Sequence, residues 1–516
     1  MTREPEARAN VIVIGGGVAA LRAAIAAAEE GASVVVLSKG RVGGSGCSVH
    51  LERGIEYCAL NCGRYTFEEQ NQLAEEYLQT GIGLNRRDIV ETFVAGLPAE
   101  HERLERYSLP TMAVDRARSR LLWTGQGLGV GIIGQRGFAR ALLQALRLTA
   151  LELRVSFRER VQVLSIDREN GSLRGVLALD LQRGGLLRFA GTAVVVATGG
   201  AGGVFPLTTN PSDIVGDGFA LAHRCGARLI NMEFYTYYPL SIGRVRRIYL
   251  IHPLLTAGEF IDAGGEVWKE PSAKPGHALE QLRGVRDTCR WIELHASRSN
   301  GSPAGGCWWD GRHLSQETYE DKIPFTYSLL RESGIDLKHD RLEVAPHAHQ
   351  SIGGVEVDVA GCTNVEGLFA AGEAAAGLHG ALRMNGSGVT AGLVLGAIAG
   401  RSAASYAHER GPCDLPVDGT IPSGKMPAEE GRLRAVRKQI HAVMGPILVV
   451  RREEDLRRAQ ANLHNVMDEV EAMQFDPRNP ALAAMREEVR TCAAVATTMV
   501  KHSLLRRESL GLFQRA

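Results

Sequence analysis

The chain has 516 residues, 45% of them hydrophobic, with a formal charge of +1. That length exceeds one ordinary core and calls for two to four domains. The near-neutral balance excludes bulk attraction to nucleic acid or to an anionic membrane.

In chain order, "NVIVIGGG" is a short β-branched run ending in glycines, "VAALRAAIAAAEEG" reads as an Ala-rich helix closed by Gly31, and "ASVVVLSKG" is a second buried strand. Glycines and an arginine interrupt this apolar opening, so it is not a membrane span. Gly15-x-Gly17-x-x-Ala20 sits at the first turn of the β-α-β unit. Gly15 permits the turn, Gly17 lets backbone approach a pyrophosphate, and Ala20 lets helix pack on strand. A diphosphate would rest on the helix N-terminus, where free N–H groups and the dipole favour negative charge. An acidic residue usually ends the second strand to hold a ribose; Ser38 and Lys39 stand there instead, and whether the Ser38 hydroxyl substitutes is left open.

Further on, "TAVVVATGGAGG" (192–203) is another buried strand, with Thr198, Gly199 and Gly200 at its end. No second GxGxxG lies between a strand and a helix, so a nicotinamide site is not supported. One permanently held dinucleotide is the simpler account, which suggests FAD. From 231 to 343 the texture changes to aromatics, charges and loops, as in "NMEFYTYYPL" and "CWWDG", before 367–404 returns to a strand, a loop and a long small-residue helix. The second texture reads as inserted into the first. After "PVDGTIPSGKMP" the tail reads as amphipathic helices forming a three-helix module.

Two further features bear on chemistry. Nine cysteines, at 47, 58, 62, 225, 289, 307, 362, 413 and 492, form no CxxC, so neither an iron–sulfur cluster nor a zinc ribbon is encoded. Their odd number and the lack of a secretory signal read as reduced thiols in a soluble, cytoplasmic protein. In "VAPHAHQSIGG" (344–354), His347 and His349 stand two apart, which on a strand places them on one face. The pair suits a metal, a packed core or a bound substrate, but nothing nearby supplies a third and fourth metal ligand, and no metal is expected.

At this point a family becomes visible. "VIVIGGGVAALRAA", "VVVLSKG", "ATGGAGGVF…TTNP…GDG", "MEF…P", "VRDTCR", "PHAHQSIGGVEVD", "GLFAAGE", "GLHGALR" and a terminal "RRESLG" follow in order. Together they resemble the fumarate reductase/succinate dehydrogenase flavoprotein family, most of all its L-aspartate oxidases. The resemblance implies an α/β fold: a Rossmann-like FAD-binding domain in two parts (1–230 and 344–404), an inserted α+β capping domain (231–343) and a C-terminal helical domain (405–516). Gly15, Gly17, Lys39, the loop Ser45-Gly46-Cys47, Asp217, Glu373 and Ser387 would contact FAD. Gly46 stands where members with covalent flavin carry the attaching histidine, so FAD is expected to be non-covalent; His50 is the nearest histidine.

For the substrate, the resemblance makes His349 and Arg383 the grip on a carboxylate and Arg286 the proton-exchanging arginine, with His347 a support or a core residue. A planar guanidinium fixes a carboxylate in orientation, and the adjoining carbon would then lie over flavin N5 for hydride transfer. Arg286 rarely loses a proton by itself and would need desolvation, a partner such as Asp287, or a water relay. The second carboxylate anchor is altered: Thr236 and Tyr238 replace Gln and His, His252-Pro253 stand where the family has Thr-Glu, Leu382 replaces Asn, and Gly388-Val389 replace Ser-Leu. A tyrosine hydroxyl gives one neutral hydrogen bond where imidazole could carry charge. The expected substrate is therefore a small organic acid other than plain succinate, fumarate or aspartate, meeting an aromatic wall of Tyr235, Tyr237 and Tyr238. Ordinary aspartate oxidation or fumarate reduction is the alternative. An iron–sulfur or other electron-transfer partner, if used, would be a separate chain.

Overall fold

The computed structural model describes residues 7–50, 58–113, 132–134, 137–242, 248, 257–269, 278–296, 302–413 and 423–516. The β-branched run forms β1 (Val11–Ile14), α1 (Val18–Glu29) follows the glycine turn, and β2 (Val34–Ser38) is again wholly buried. Strands buried on both faces need helices over each side, which is the setting of a parallel sheet. Helices α2 (Phe67–Thr80), α3 (Arg87–Glu105) and α4 (Phe138–Glu152) come next, and β3 (Ser156–Glu159) pairs with β2. A meander of β4 (Val161–Glu169), β5 (Ser172–Asp180) and β6 (Leu186–Ala190) forms a separate antiparallel sheet. The chain then re-enters beside β1 as β7 (Ala193–Val196), and α5 (Asp217–Arg224) follows.

From Tyr235 a second antiparallel sheet is built from β8 (Tyr235–Ser241), β9 (Glu259–Ile261), β10 (Val267–Trp268), β11 (Cys307–Asp310) and β12 (Leu342–Ser351). Its strand order is β8-β12-β11-β9-β10, and α6 (Ala278–His295) packs against β8 and β12. The sequence boundary at 343/344 falls inside β12. Thr236 faces Gln350 but Tyr237 faces Ala348, so His349 is the extra residue of a β-bulge.

The chain returns to the parallel sheet as β13 (Leu368–Ala370), completing the order β13-β7-β1-β2-β3. Then α7 (Ser387–Arg410) runs along α1 with small residues at the seam. A Cβ placed on Gly396 would lie 2.8 Å from the Ala19 carbonyl oxygen, and one on Gly400 2.2 Å from that of Ala23, so the two helix backbones touch. Last come α8 (Glu430–Met444), α9 (Glu453–Ala472) and α10 (Pro480–Leu505), packed on one another through stripes such as Leu433, Val436, Ile440 and Met444. No helix among the described residues is long and apolar enough to cross a membrane.

Candidate active site

A cavity of about 350 Å³ opens at the carboxyl ends of the parallel strands, where ligands of such sheets bind. One wall comes from the ends of β1, β2, β7 and β13; the opposite wall brings Tyr238, His349 and Gln350 from the antiparallel sheet.

At the first wall, Gly15 adopts φ +131°, and a Cβ there would sit 2.2 Å from the Ala197 carbonyl oxygen. Only glycine fits so close a crossing of β1 and β7. Beyond it α1 begins at Gly17, which has no side chain to cap it, and carries no acidic residue in its first turn; the Ser48 hydroxyl accepts from the Val18 N–H at 3.2 Å, and the rest of the positive end is left for an anion. Ser38, Lys39, Ser45, Gly46, Cys47, Thr198, Gly199, Asp217 and Glu373 all line the same cavity. Lys39 Nζ pairs with Asp217 at 2.7 Å, donates to the Asp213 carbonyl, and stands 3.7 Å from Glu488 of α10. Burial pulls the Lys39 ammonium down, but Asp217 and Glu488 outweigh it and hold its pKa above the usual value. Glu373 accepts from the Ser351 N–H at 2.9 Å, and burial pushes it up to about 7 against that bond and Arg383. An ordered glycine turn, a helix start free of acidic residues and a sheet-end cleft fit a dinucleotide such as FAD.

At the second wall stands Arg383, 8% exposed, with its Nε buried and without a hydrogen-bond partner. Among the described residues no carboxylate forms an ion pair with it. His349 lines the cavity beside it, its Nδ1 3.0 Å from Thr209 Oγ1, while Asn210 Nδ2 donates to the His349 carbonyl at 2.8 Å. Burial, with the Arg383 charge added, pushes the His349 imidazole down to about 3, so the ring is neutral near pH 7. Tyr238 sets its ring edge-on to His349 at 5.2 Å and donates its hydroxyl to Asn385 Oδ1 at 2.7 Å. The site thus presents one buried cation with no ion-pair partner among the described residues, flanked by neutral polar groups.

Some expected residues are elsewhere. Ala20 is buried in the α1 packing, Gly200 lets Glu373 approach (a Cβ would lie 2.1 Å from its Oε1), and Ser387 donates to the Met384 carbonyl at 2.6 Å; none of the three lines the cavity. His347 is buried against the Ala345 carbonyl at 3.0 Å. Arg286 pairs with Asp287 at 2.8 Å on α6 and is not in the cavity wall. The aromatic wall reduces to Tyr238, because Tyr237 turns to donate to the Leu512 carbonyl at 2.8 Å and Tyr235 packs on Phe205. Thr236 caps the bulge through Gln350 rather than meeting a ligand. The His50 side chain and His252-Pro253 lie outside the described residues. Sequence reasoning missed Thr209, Asn210, Gln350 and Asn385; the first two belong to the "TTNP" segment, which carried no assigned role.

Residues 10–389 match the FAD binding domain family, which defines the chain as an FAD-dependent oxidoreductase. It is 28% identical to a subunit of the fumarate reductase (CoM/CoB) of Methanothermobacter marburgensis, over 98% of this chain and 94% of the relative. It is 29% identical to the L-aspartate oxidase of Streptomyces coelicolor, over 98% of this chain and 88% of that one. The fold is shared with Mycobacterium smegmatis Sdh1 in complex with UQ1, at a TM-score of 0.85 and 24% identity, covering 98% of this chain and 88% of the other. The chain belongs to the fumarate reductase/succinate dehydrogenase flavoprotein family, and these identities favour neither the reductase nor the oxidase branch.

Proposed function

We propose that the protein transfers hydride between flavin and a carbon adjacent to a carboxylate, or related carbonyl, of a small organic acid that is not plain succinate or fumarate. The observation that carries this reading is Arg383: a buried arginine with no ion-pair partner among the described residues, in the cavity that also holds the Gly15–Gly17 turn. A buried charge is tolerated when something pairs with it, and a substrate carboxylate is the partner this geometry suits. Gly15, Gly17, Ser38, Lys39, the Ser45–Cys47 loop, Thr198, Gly199, Asp217 and Glu373 would hold FAD, with Ala20, Gly200 and Ser387 supporting it from behind. Bound FAD supplies the hydride acceptor or donor, its N5.

The chain's own residues do the rest. Arg383 fixes the carboxylate, and neutral His349, oriented by Thr209, adds a hydrogen bond without a second charge. We assign proton exchange to Arg286; α6 packs on the strands bearing Tyr238 and His349, and Asp287, paired with it at 2.8 Å, is the neighbour through which a proton would be relayed. Tyr238, already committed to Asn385, supports a substrate whose second group is not a plain carboxylate. Titrating the purified holoenzyme with succinate, fumarate, L-aspartate and bulkier monocarboxylates, while following flavin absorbance, tests the reading. Prompt bleaching by aspartate would return the activity to ordinary aspartate oxidation. Arg286→Lys should keep FAD and slow turnover severely; unchanged turnover removes Arg286 from the reaction. A second reading, a flavoprotein that passes electrons to a separate iron–sulfur chain, is favoured by the archaeal relative's being one component of a larger enzyme, and co-purification of such a chain would support it.

A further inference from the structure

Away from the cavity, at the far edge of the antiparallel sheet, three metal-capable side chains converge. Asp262 and Glu266 bracket the turn between β9 and β10, and His295 ends α6. One ligand atom from each lies within 4.8 Å of the other two. We propose that Asp262, Glu266 and His295 bind one divalent transition-metal ion of the zinc class, at a site separate from the flavin cavity.

Each ligand is already oriented by a second partner. His295 is 7% exposed, stacks on Trp291 at 4.2 Å, and its Nδ1 lies 2.8 Å from the Trp291 carbonyl oxygen. A carbonyl only accepts, so Nδ1 carries the hydrogen and Nε2 faces Glu266 Oε1, 3.1 Å away. Imidazoles that ligate metals are commonly set in this way, by a backbone carbonyl on the other nitrogen. With Nδ1 so fixed, Nε2 either carries a second hydrogen to Glu266 or turns a lone pair toward a cation between them.

Asp262 makes the stronger case. It is 3% exposed, and its Oδ1 accepts from the Glu266 N–H at 2.8 Å. Its Oδ2 is buried and has no hydrogen-bond partner among the described residues. A carboxylate oxygen taken out of water without a partner is costly, and a bound cation removes the cost. Two carboxylates beside a neutral ring are balanced by a divalent ion, whereas a single proton on the ring leaves an excess negative charge.

One nitrogen and two oxygens suit zinc and its neighbours better than magnesium, which prefers an all-oxygen shell. Zinc bonds of about 2.0–2.1 Å place tetrahedral ligands roughly 3.3 Å apart, with water in the fourth position. The His295–Glu266 pair already has that spacing, and the exposed Glu266 side chain is free to adjust as Asp262 joins. The ion would tie the β9–β10 hairpin to the end of α6. No sequence pattern announces the triad, because its ligands come from a hairpin turn and a helix end.

Holoenzyme stripped with a chelator and dialysed should be titrated calorimetrically with zinc chloride, and separately with cobalt(II) chloride while visible absorption is recorded. The expected result is one equivalent of zinc per chain, a tetrahedral cobalt band, and no competition from magnesium. H295A and D262N should each weaken zinc binding at least about 100-fold; E266Q, at an exposed side chain, should weaken it about 10-fold with flavin content unchanged. A wild-type protein with no saturable zinc binding overturns the proposal. So does wild-type affinity in E266Q together with either other variant.

Discussion

Replacing Arg383 by methionine should have two effects of opposite sign. Arg383 is 8% exposed and its Nε has no partner, so among the described residues the ligand-free protein bears a buried charge with no ion pair. Methionine keeps much of the volume without the charge, which should stabilise the fold by about 1–3 kcal/mol. The same change removes charge-assisted bonds to the substrate carboxylate, a loss of about 2–5 kcal/mol. At about 1.4 kcal/mol per decade, Kd should rise roughly 30- to 4,000-fold. Urea unfolding of the holoenzyme, followed by circular dichroism, reads the first effect; carboxylate titration followed by flavin difference absorbance reads the second. A variant that is less stable yet binds carboxylates as before would show Arg383 to be a structural cation and remove the basis of the proposed reaction.

Four further outcomes follow from the same site. Glu373 is pushed up to about 7 from 4.5 by burial, so the folded protein keeps a proton that the unfolded chain gives up between those values. Its stabilisation is complete below the lower value and is lost as pH rises through the higher one. Glu373→Gln should therefore flatten the decline in unfolding free energy of the flavin-free protein between pH 4.5 and about 7, and an unchanged slope would contradict the burial argument. His349, held at about 3 against an ordinary 6.5, acts in reverse: stability is lost as pH falls through that window, and His349→Gln should remove part of the acid-side loss. Gly388→Ala would put a Cβ 3.0 Å from Arg383 Nη2 and 3.3 Å from Gln350 Oε1, both ends of flexible side chains. Flavin content should hold while carboxylate Kd rises about 10-fold, the effect of displacing the fork at a cost of about 1–2 kcal/mol; an unaltered Kd would separate Arg383 from the ligand. With Gly46 in the attachment loop, acid precipitation should leave the flavin in the supernatant, and a yellow pellet would refute non-covalent binding.

The flavin-binding wall was legible because its signals are local. β-branched runs, the Gly15-x-Gly17 turn and an Ala-rich helix each occupy a few consecutive residues, and burial on both faces follows from their composition. What joins them was not legible: Lys39 gave no hint that its carboxylates come from α5 and from Glu488 on α10. The histidine pair shows a different limit. Strand alternation puts His347 and His349 on one face, but the bulge opposite Thr236 and Tyr237 shifts the register, and of the two only His349 reaches the cavity. The same irregularity, with the alternation of β8, undoes the tyrosine wall. Arg286 sits on a helix whose placement depends on packing against β8 and β12, which no local pattern encodes.

The glycine seam between α1 and α7 has its own consequence. A methyl at Gly400 would meet the Ala23 oxygen at 2.2 Å, and backbone cannot step aside as a side-chain tip can. The turn that begins α1 is mounted on a rail rather than a cushion. Libraries that seek new substrates have freedom on the Tyr238 side, whereas diversity introduced along this rail would be spent on chains that never assemble.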